Sequence, residues 1–405
     1  MNQPIPARHP ETPRDVPALV RSFALLLGIQ KPTPEQWRSL GERLTVGDEP
    51  MDRLVEWMIS AGMEQTRPLF DRALAGGIEN VPDAPEPLRE FFVRIETIPD
   101  WVDTDKLRRG ARALRRGGAD GMYVARDVAL LGGYQFSGFN KTLLRTGALE
   151  KGSNKRFAET MQWAMDVISK GGLDPLGVGY RSTIRVRLIH AFVRRHVATM
   201  LDWRGDEWGM PVNQTDMAAT LVGALIAPSA GGIGMGILPA PADLDGIAHL
   251  TRYVGWLIGV QDEWLPHDFR DGVRVLYHTL TALAAPDEST KQLAVPMADD
   301  PMAWNYRNLP GLRRRVARAQ HLSVTSGFLG PRAMRALGLA YVPPWYPLVR
   351  IPVNVTRSVA ALTLPGGMER AATRGQREQE DLLHTMIGDN EAAVGDSAAH
   401  VVRVA

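Results

Sequence analysis

The sequence predicts an all-α fold on two observations: apolar residues recur at helical spacing along most of the chain, and alternating runs of β-branched residues are scarce. Leu54, Val55, Met58 and Ala61 share one helical face, and 107–114 and 157–168 read the same way. Pro82, Pro85 and Pro87 separate an N-terminal helical section from the rest. Gly171, Gly172, Pro175 and Gly177 close a helix before Tyr180. The uncharged stretch 217–242 contains Pro228, Pro239 and the glycine-rich run 231–236, which predicts a buried helix followed by a loop rather than a transmembrane span. From Tyr341 to Pro347 the chain is too Pro-rich to be helical and is expected to lie as a strap over the domain. A charged helix, 368–387, then leads into a polar end expected to be mobile. The organisation expected is a helical section at 1–100 packed on the core, a main domain at 101–350, and a C-terminal helix and tail at 351–405.

Composition narrows the function classes. The 405 residues are 44% hydrophobic and 23% charged, with a mean hydropathy of −0.16, as in an ordinary globular protein. Lys and Arg number 47 against 45 Asp and Glu, a net charge of +2, which does not suit a phosphate-binding surface for nucleic acid. Cysteine is absent, which excludes disulfides, thiolate-ligated zinc, iron–sulfur clusters, catalytic thiols and haem attached through a C-x-x-C-H motif. Residues 1–21 carry Pro and charge where a secretory signal would place an apolar run, and Arg8 and Arg14 form no twin-arginine pair. A cytoplasmic location is therefore expected.

The chemistry concentrates in 179–196, long and periodic enough for a helix. Residues three and four apart share a face, so Arg187, His190 and Arg194 align with Thr183. An imidazole flanked by two guanidiniums suits an iron porphyrin, the His ligating iron and the arginines pairing with propionates. A plain hydrogen-bonded helix face carries the same pattern. A phosphate-binding helix built from Arg181, Arg185, Arg187, Arg194 and Arg195 is disfavoured because these residues fall on several faces. The zinc-protease, nucleophile-elbow, P-loop and di-iron patterns do not occur, and the glycines at 232–236 lack dinucleotide-loop spacing. Trp256 and Trp264 near Tyr253 read either as core or as an aromatic recognition strip.

The run 180–194 (YRSTIRVRLIHAFVR) resembles the signature of the latex clearing protein, or rubber oxygenase, family, which includes the oxygenase of mycophenolic acid biosynthesis. RFAET at 156–160, MPVNQTDMAATL at 210–221 and RYVGWLIGV at 252–260 resemble further segments of that family in the same order, covering roughly 110–350. The resemblance implies a globin-like helical core around a buried pocket holding one non-covalent b-type haem, with the main domain as the oxygenase domain. It implies His190 as proximal iron ligand, Arg187 and Arg194 near the propionates, and Arg156 and Thr160 on the helix facing the haem. At Glu159 the sequence departs from the family's pattern, since the rubber-cleaving members carry Lys there as a removable distal ligand. A carboxylate offers no such amine, and Glu159 becomes a candidate catalytic base. The activity implied is cleavage of a carbon–carbon double bond by O2 in an isoprenoid or other apolar substrate, small or polymeric. The rubber-cleaving members are exported, so the missing export signal argues against an extracellular polymer. Alternatives are a non-catalytic haem-binding or gas-sensing protein, an apolar-ligand carrier, or an interaction module without cofactor.

Overall fold

A computed structural model describes residues 4–147, 152–390 and 392–394. The N-terminal section forms α1 (Ala18–Leu26), α2 (Pro34–Glu42), α3 (Glu49–Ser60), α4 (Met63–Gly76) and α5 (Glu86–Glu96). Next come α6 (Thr104–Arg116), α7 (Gly118–Val124), a π-helical turn (Ala125–Leu130), the short α8 (Leu131–Gly133) and α9 (Ser137–Arg145). The middle of the chain supplies α10 (Ser153–Ile168), α11 (Val178–Ala198), α12 (Gly205–Trp208), α13 (Gln214–Gly234), α14 (Pro241–Ile258) and α15 (Phe269–Leu283). It closes with α16 (Glu288–Asp299), α17 (Pro310–Ala336), α18 (Trp345–Thr363) and α19 (Gly367–Ile387). No strand occurs among the described residues, and a lone bridge pairs Phe136 with Ala285. The fold is all-α, as the periodicity predicts.

Local chemistry sets several helix ends. Thr33 and Gln36 form a reciprocal capping box at α2, while Asp103 and Asn213 cap α6 and α13 through their side chains. Packing then gathers the helices around two apolar clusters. One joins Leu40, Leu54 and Phe92 of the N-terminal section to Phe192, Leu225 and Tyr253. The other joins Leu131 and Met161 to Met297, Trp304, Leu322 and Met334. Helix α10 belongs to both, with Phe157 and Met161 in one and Trp163 and Val167 in the other.

Two expectations need correction. The helix in 217–242 does not stop at the glycine run but continues through Pro228 to Gly234. Val124 and Phe328 pack so closely on Gly231 and Gly234 that tertiary contact overrides the weak local propensity. The strap from Tyr341 ends at Pro344, because Trp345 already begins α18; Pro347 sits in the first turn, where its missing N–H costs nothing. Of the two readings of Trp256, Trp264 and Tyr253, core is the one observed: Tyr253 and Trp256 stack at 5.9 Å, and Trp264 lies buried on a separate turn. Among the described residues, α13 is the one helix long and apolar enough to cross a membrane, and half of it is buried, against α15, the π-helical turn, α7 and α14. The end of the predicted mobile tail, 395–405, lies outside the described residues.

Candidate active site

An apolar cavity of about 910 Å³ opens where the two clusters meet. Helix α10 presents Phe157, Thr160, Met161 and Ala164 to it, and α13 presents Ala219, Thr220 and Ala224. The π-helical turn adds Ala125, Val128 and Ala129, the turn before α9 adds Phe136, and the far wall is Leu276 and Leu280 of α15. Such a volume lies in the range of small-molecule and cofactor sites. The wall is mostly apolar; of its polar side chains, Thr160, Thr220 and Ser229 carry hydroxyls and Arg14, Arg21, Arg116 and Arg332 carry guanidiniums, while Asp216 is held at both carboxylate oxygens by Arg8, at 3.1 and 2.7 Å. The segment holding Arg14, Val16 and Pro17 closes one side.

The sequence-predicted residues divide between this cavity and an adjoining buried network. Thr160 lines the cavity and donates its hydroxyl to the Arg156 carbonyl at 3.0 Å, while Arg156 donates to the Tyr134 hydroxyl at 3.2 Å. Glu159 is buried one residue away and is engaged with a neighbouring group, but it is not on the cavity wall. His190 lies on α11, which packs against α10; between them, Trp163 donates from Nε1 to the Thr183 hydroxyl at 3.0 Å. The cavity wall therefore reaches α11 through Trp163, while His190, two turns further along α11, is not among the wall residues and has Arg194 and Asp48 as its charged neighbours.

The His190 ring is half-buried, and its Nδ1 is enclosed with no hydrogen-bond partner. Burial, reinforced by the positive Arg194 and opposed by Asp48, lowers its pKa to about 4. The imidazole is thus neutral at pH 7, the form that can ligate a metal.

Arg187 and Arg194 have other partners. Arg187 is paired with Asp48 at 2.6 and 2.7 Å and donates to the Leu257 carbonyl at 3.0 Å. Arg194 binds both carboxylate oxygens of Asp52 at 3.0 Å and the Val212 carbonyl at 2.7 Å. Burial raises the pKa of Asp52 to about 6 against the pull of Arg194. Among the described residues no three His, Cys, Asp or Glu side chains converge as a metal cluster. A haem iron needs only one such ligand, and the unpartnered His190 fits that requirement. The two arginines do not fit as propionate partners, since carboxylates of this chain already neutralise them.

Sequence reasoning missed the residues that hold this helix in place. Asp48 and Asp52 sit one turn apart at the start of α3, facing Arg187 and Arg194. Gln214 donates to the carbonyls of Gly47 and Gly259, each at 2.9 Å, and accepts from the Gln261 amide at 2.9 Å. Thr215 donates to the Leu40 carbonyl at 2.8 Å. The segment 213–216 therefore ties the N-terminal section to the site helices, and its dense polar composition before an apolar helix was the available signal.

Comparison with known proteins fits this arrangement. The family described as "ER-bound oxygenase mpaB/B'/Rubber oxygenase, catalytic domain" matches residues 122–363. The chain belongs to this family. The matched span runs from α7 through α18 and contains both the cavity helices and His190. A rubber oxygenase from Streptomyces sp. (strain K30) is 24% identical over 200 residues, 48% of this chain and 47% of that protein. The chain thus matches about half the length of that relative. A solved structure of latex clearing protein in the closed state superposes with a TM-score of 0.63 at 20% identity, covering 86% of this chain and 93% of that one. The overall helical fold is therefore shared well beyond the matched domain.

Proposed function

We propose that this chain is a haem b-dependent oxygenase that uses O2 to cleave a carbon–carbon double bond in an isoprenoid or other apolar substrate. The observation that carries the reading is the neutral His190 imidazole with an unpartnered buried Nδ1, on a helix that packs against α10, which itself lines an apolar cavity of about 910 Å³. His190 would hold the iron, and the haem when bound would supply dioxygen activation. Cleavage conserves atoms, because one alkene and one O2 give two carbonyl products. The Phe, Leu and Ala walls would exclude water and align an apolar chain, leaving the Thr160 and Thr220 hydroxyls to orient polar atoms. Glu159, buried next to the wall residue Thr160 but off the wall, would have to turn into the cavity to accept an allylic proton, which it would then return so that the two carbonyl products keep every hydrogen of the alkene. Asp216 is a poorer base, because Arg8 occupies both its oxygens.

Support for the reaction class comes from membership of the oxygenase family and from the name of the relative. A polymeric apolar substrate is the one that the name rubber oxygenase implies. The test is the visible spectrum of the purified chain, reduced and with carbon monoxide, followed by product analysis with prenyl compounds under O2. A Soret band that disappears in His190→Ala, with carbonyl products from the wild type, is expected. Haem content unchanged in that variant would remove His190 as ligand, and haem without turnover would favour a gas-sensing protein. A colourless chain that still binds prenyl compounds would make it a carrier.

A further inference from the structure

The long Asp-free and Glu-free stretch between Asp300 and Glu369 contains nine arginines. Most of it forms α17 and α18, which pack together through the Ser323 hydroxyl on the Tyr346 amide at 3.0 Å and the Ser326 hydroxyl on the Val342 amide at 3.1 Å. Helix α18 carries two charged side chains, and both turn inward: Arg350 binds Asp120 and Arg357 binds Glu378. Its outward face is apolar. Trp345, Leu348, Val349, Val353, Val359 and Leu362 are all exposed, Leu348 at 67% and Val349 at 59%. Their spacing places them on one broad side of the helix. The first turns of α17 repeat the pattern, with Leu309, Leu312 and Val316 exposed beside Arg313 and Arg315. Arg307, Arg313, Arg315, Arg332 and Arg335 are exposed and enter no salt bridge among the described residues.

We propose that the α17–α18 pair is a docking surface for an anionic lipid membrane, on which the chain lies peripherally. An exposed apolar helix face flanked by unpaired arginines is the pattern that seats in a lipid interface, where acyl chains take the apolar side chains and anionic headgroups take the guanidiniums. A second copy of this chain is a poorer occupant. A two-fold contact would set one arginine-rich surface against the same surface, with Asp299 and Glu378 already bound to Arg318 and Arg357. The position also suits delivery of an apolar molecule. Under α18, Ser358 accepts from the Leu238 amide at 3.0 Å and Ile351 lies against Gly236, next to Ile237 on the cavity wall. On α17, Pro331 and Arg332 also line the cavity, immediately after the break at Gly330. A hydrophobic compound dissolved in the bilayer would meet the cavity beside the membrane-facing helices.

Co-sedimentation of the purified full chain tests this with vesicles of phosphatidylcholine alone and of phosphatidylcholine mixed with phosphatidylglycerol. Binding to the anionic vesicles is expected, weakened by salt and lowered at least about tenfold both in Leu348→Glu with Val349→Glu and in Arg313→Glu with Arg315→Glu. Far-UV circular dichroism checks that each double variant is folded, and the arginine variant carries the test should the apolar one fail to fold. Equal binding to neutral and anionic vesicles, or anionic binding kept by a folded double variant, overturns the proposal. So does a dimer in light scattering that needs the α18 face while the wild type ignores both vesicles. None of these outcomes depends on haem or turnover.

Discussion

Arg187 sets Nε and Nη2 of its guanidinium against the two carboxylate oxygens of Asp48, at 2.6 and 2.7 Å, across 139 residues of chain. Asp48 occupies the N-cap position of α3 yet makes no side-chain cap, because its carboxylate is turned to the arginine. Both groups are buried, and removing one leaves the other charged and without its partner. Asp48→Asn is therefore expected to destabilise the fold by about 3–5 kcal/mol, read from urea unfolding at unchanged slope. Combining Asp48→Leu with Arg187→Met should recover most of that loss. A single-variant cost below about 1 kcal/mol would show that water, not the pair, solvates the guanidinium.

Gly259 ends α14 with a φ of 91°, and a side chain there would fall on the Asp48 carboxylate and the Arg187 Nε. Backbone strain and steric conflict act together at this position. Gly259→Ala is expected to lower stability by about 2 kcal/mol or more and to shift the thermal midpoint down by several degrees. A neutral outcome would mean that the ion pair slides aside without cost.

The haem-free protein offers a second handle on His190. Its pKa falls from 6.5 to about 4 on folding, so the unfolded chain binds the proton more tightly. Its contribution to stability is complete above pH 6.5 and is lost as pH falls from there towards 4, by up to about 3 kcal/mol. His190→Phe should remove that component of the acid sensitivity. From pH 7 to pH 4 the urea midpoint of the wild type should therefore fall more steeply than that of the variant. Parallel curves would show that the ring titrates normally in the folded state.

The helices were legible because each keeps its own apolar period, and the His190 face was legible because three chemically distinctive residues share one helix. The partners of that face were not. Asp48 and Asp52 lie in a stretch without a recognisable motif, and nothing local marks them as counter-ions for residues so far along the chain. The arginines therefore suggested propionate binding, a role the buried carboxylates already fill. The cavity was hidden for a different reason: Ala219, Ala224, Val128 and Leu280 have the composition of ordinary core, and only the helix arrangement leaves space between them. The extension of α13 through Pro228 and its glycines was likewise set by Val124 and Phe328 from other helices.

That space can be tested without knowing its natural occupant. Ala224 is a half-buried residue of α13 whose side chain borders the cavity, and α13 is fixed at its start by Asn213, Thr215 and Gln214. Replacing it with Trp directs an indole into the void instead of into packed core, so the usual overpacking cost of about 1–3 kcal/mol should be largely avoided. The cavity's capacity should shrink accordingly. Ala224→Trp is expected to weaken binding of a fluorescent apolar probe at least about tenfold while moving the urea midpoint little, because each buried methylene of the displaced probe carries close to 0.8 kcal/mol. Leu201→Trp, at a fully exposed position away from the cavity, serves as the control for an added indole. If both variants bind the probe like the wild type, the probe sits on the exposed apolar surfaces and not between α10, α13 and α15.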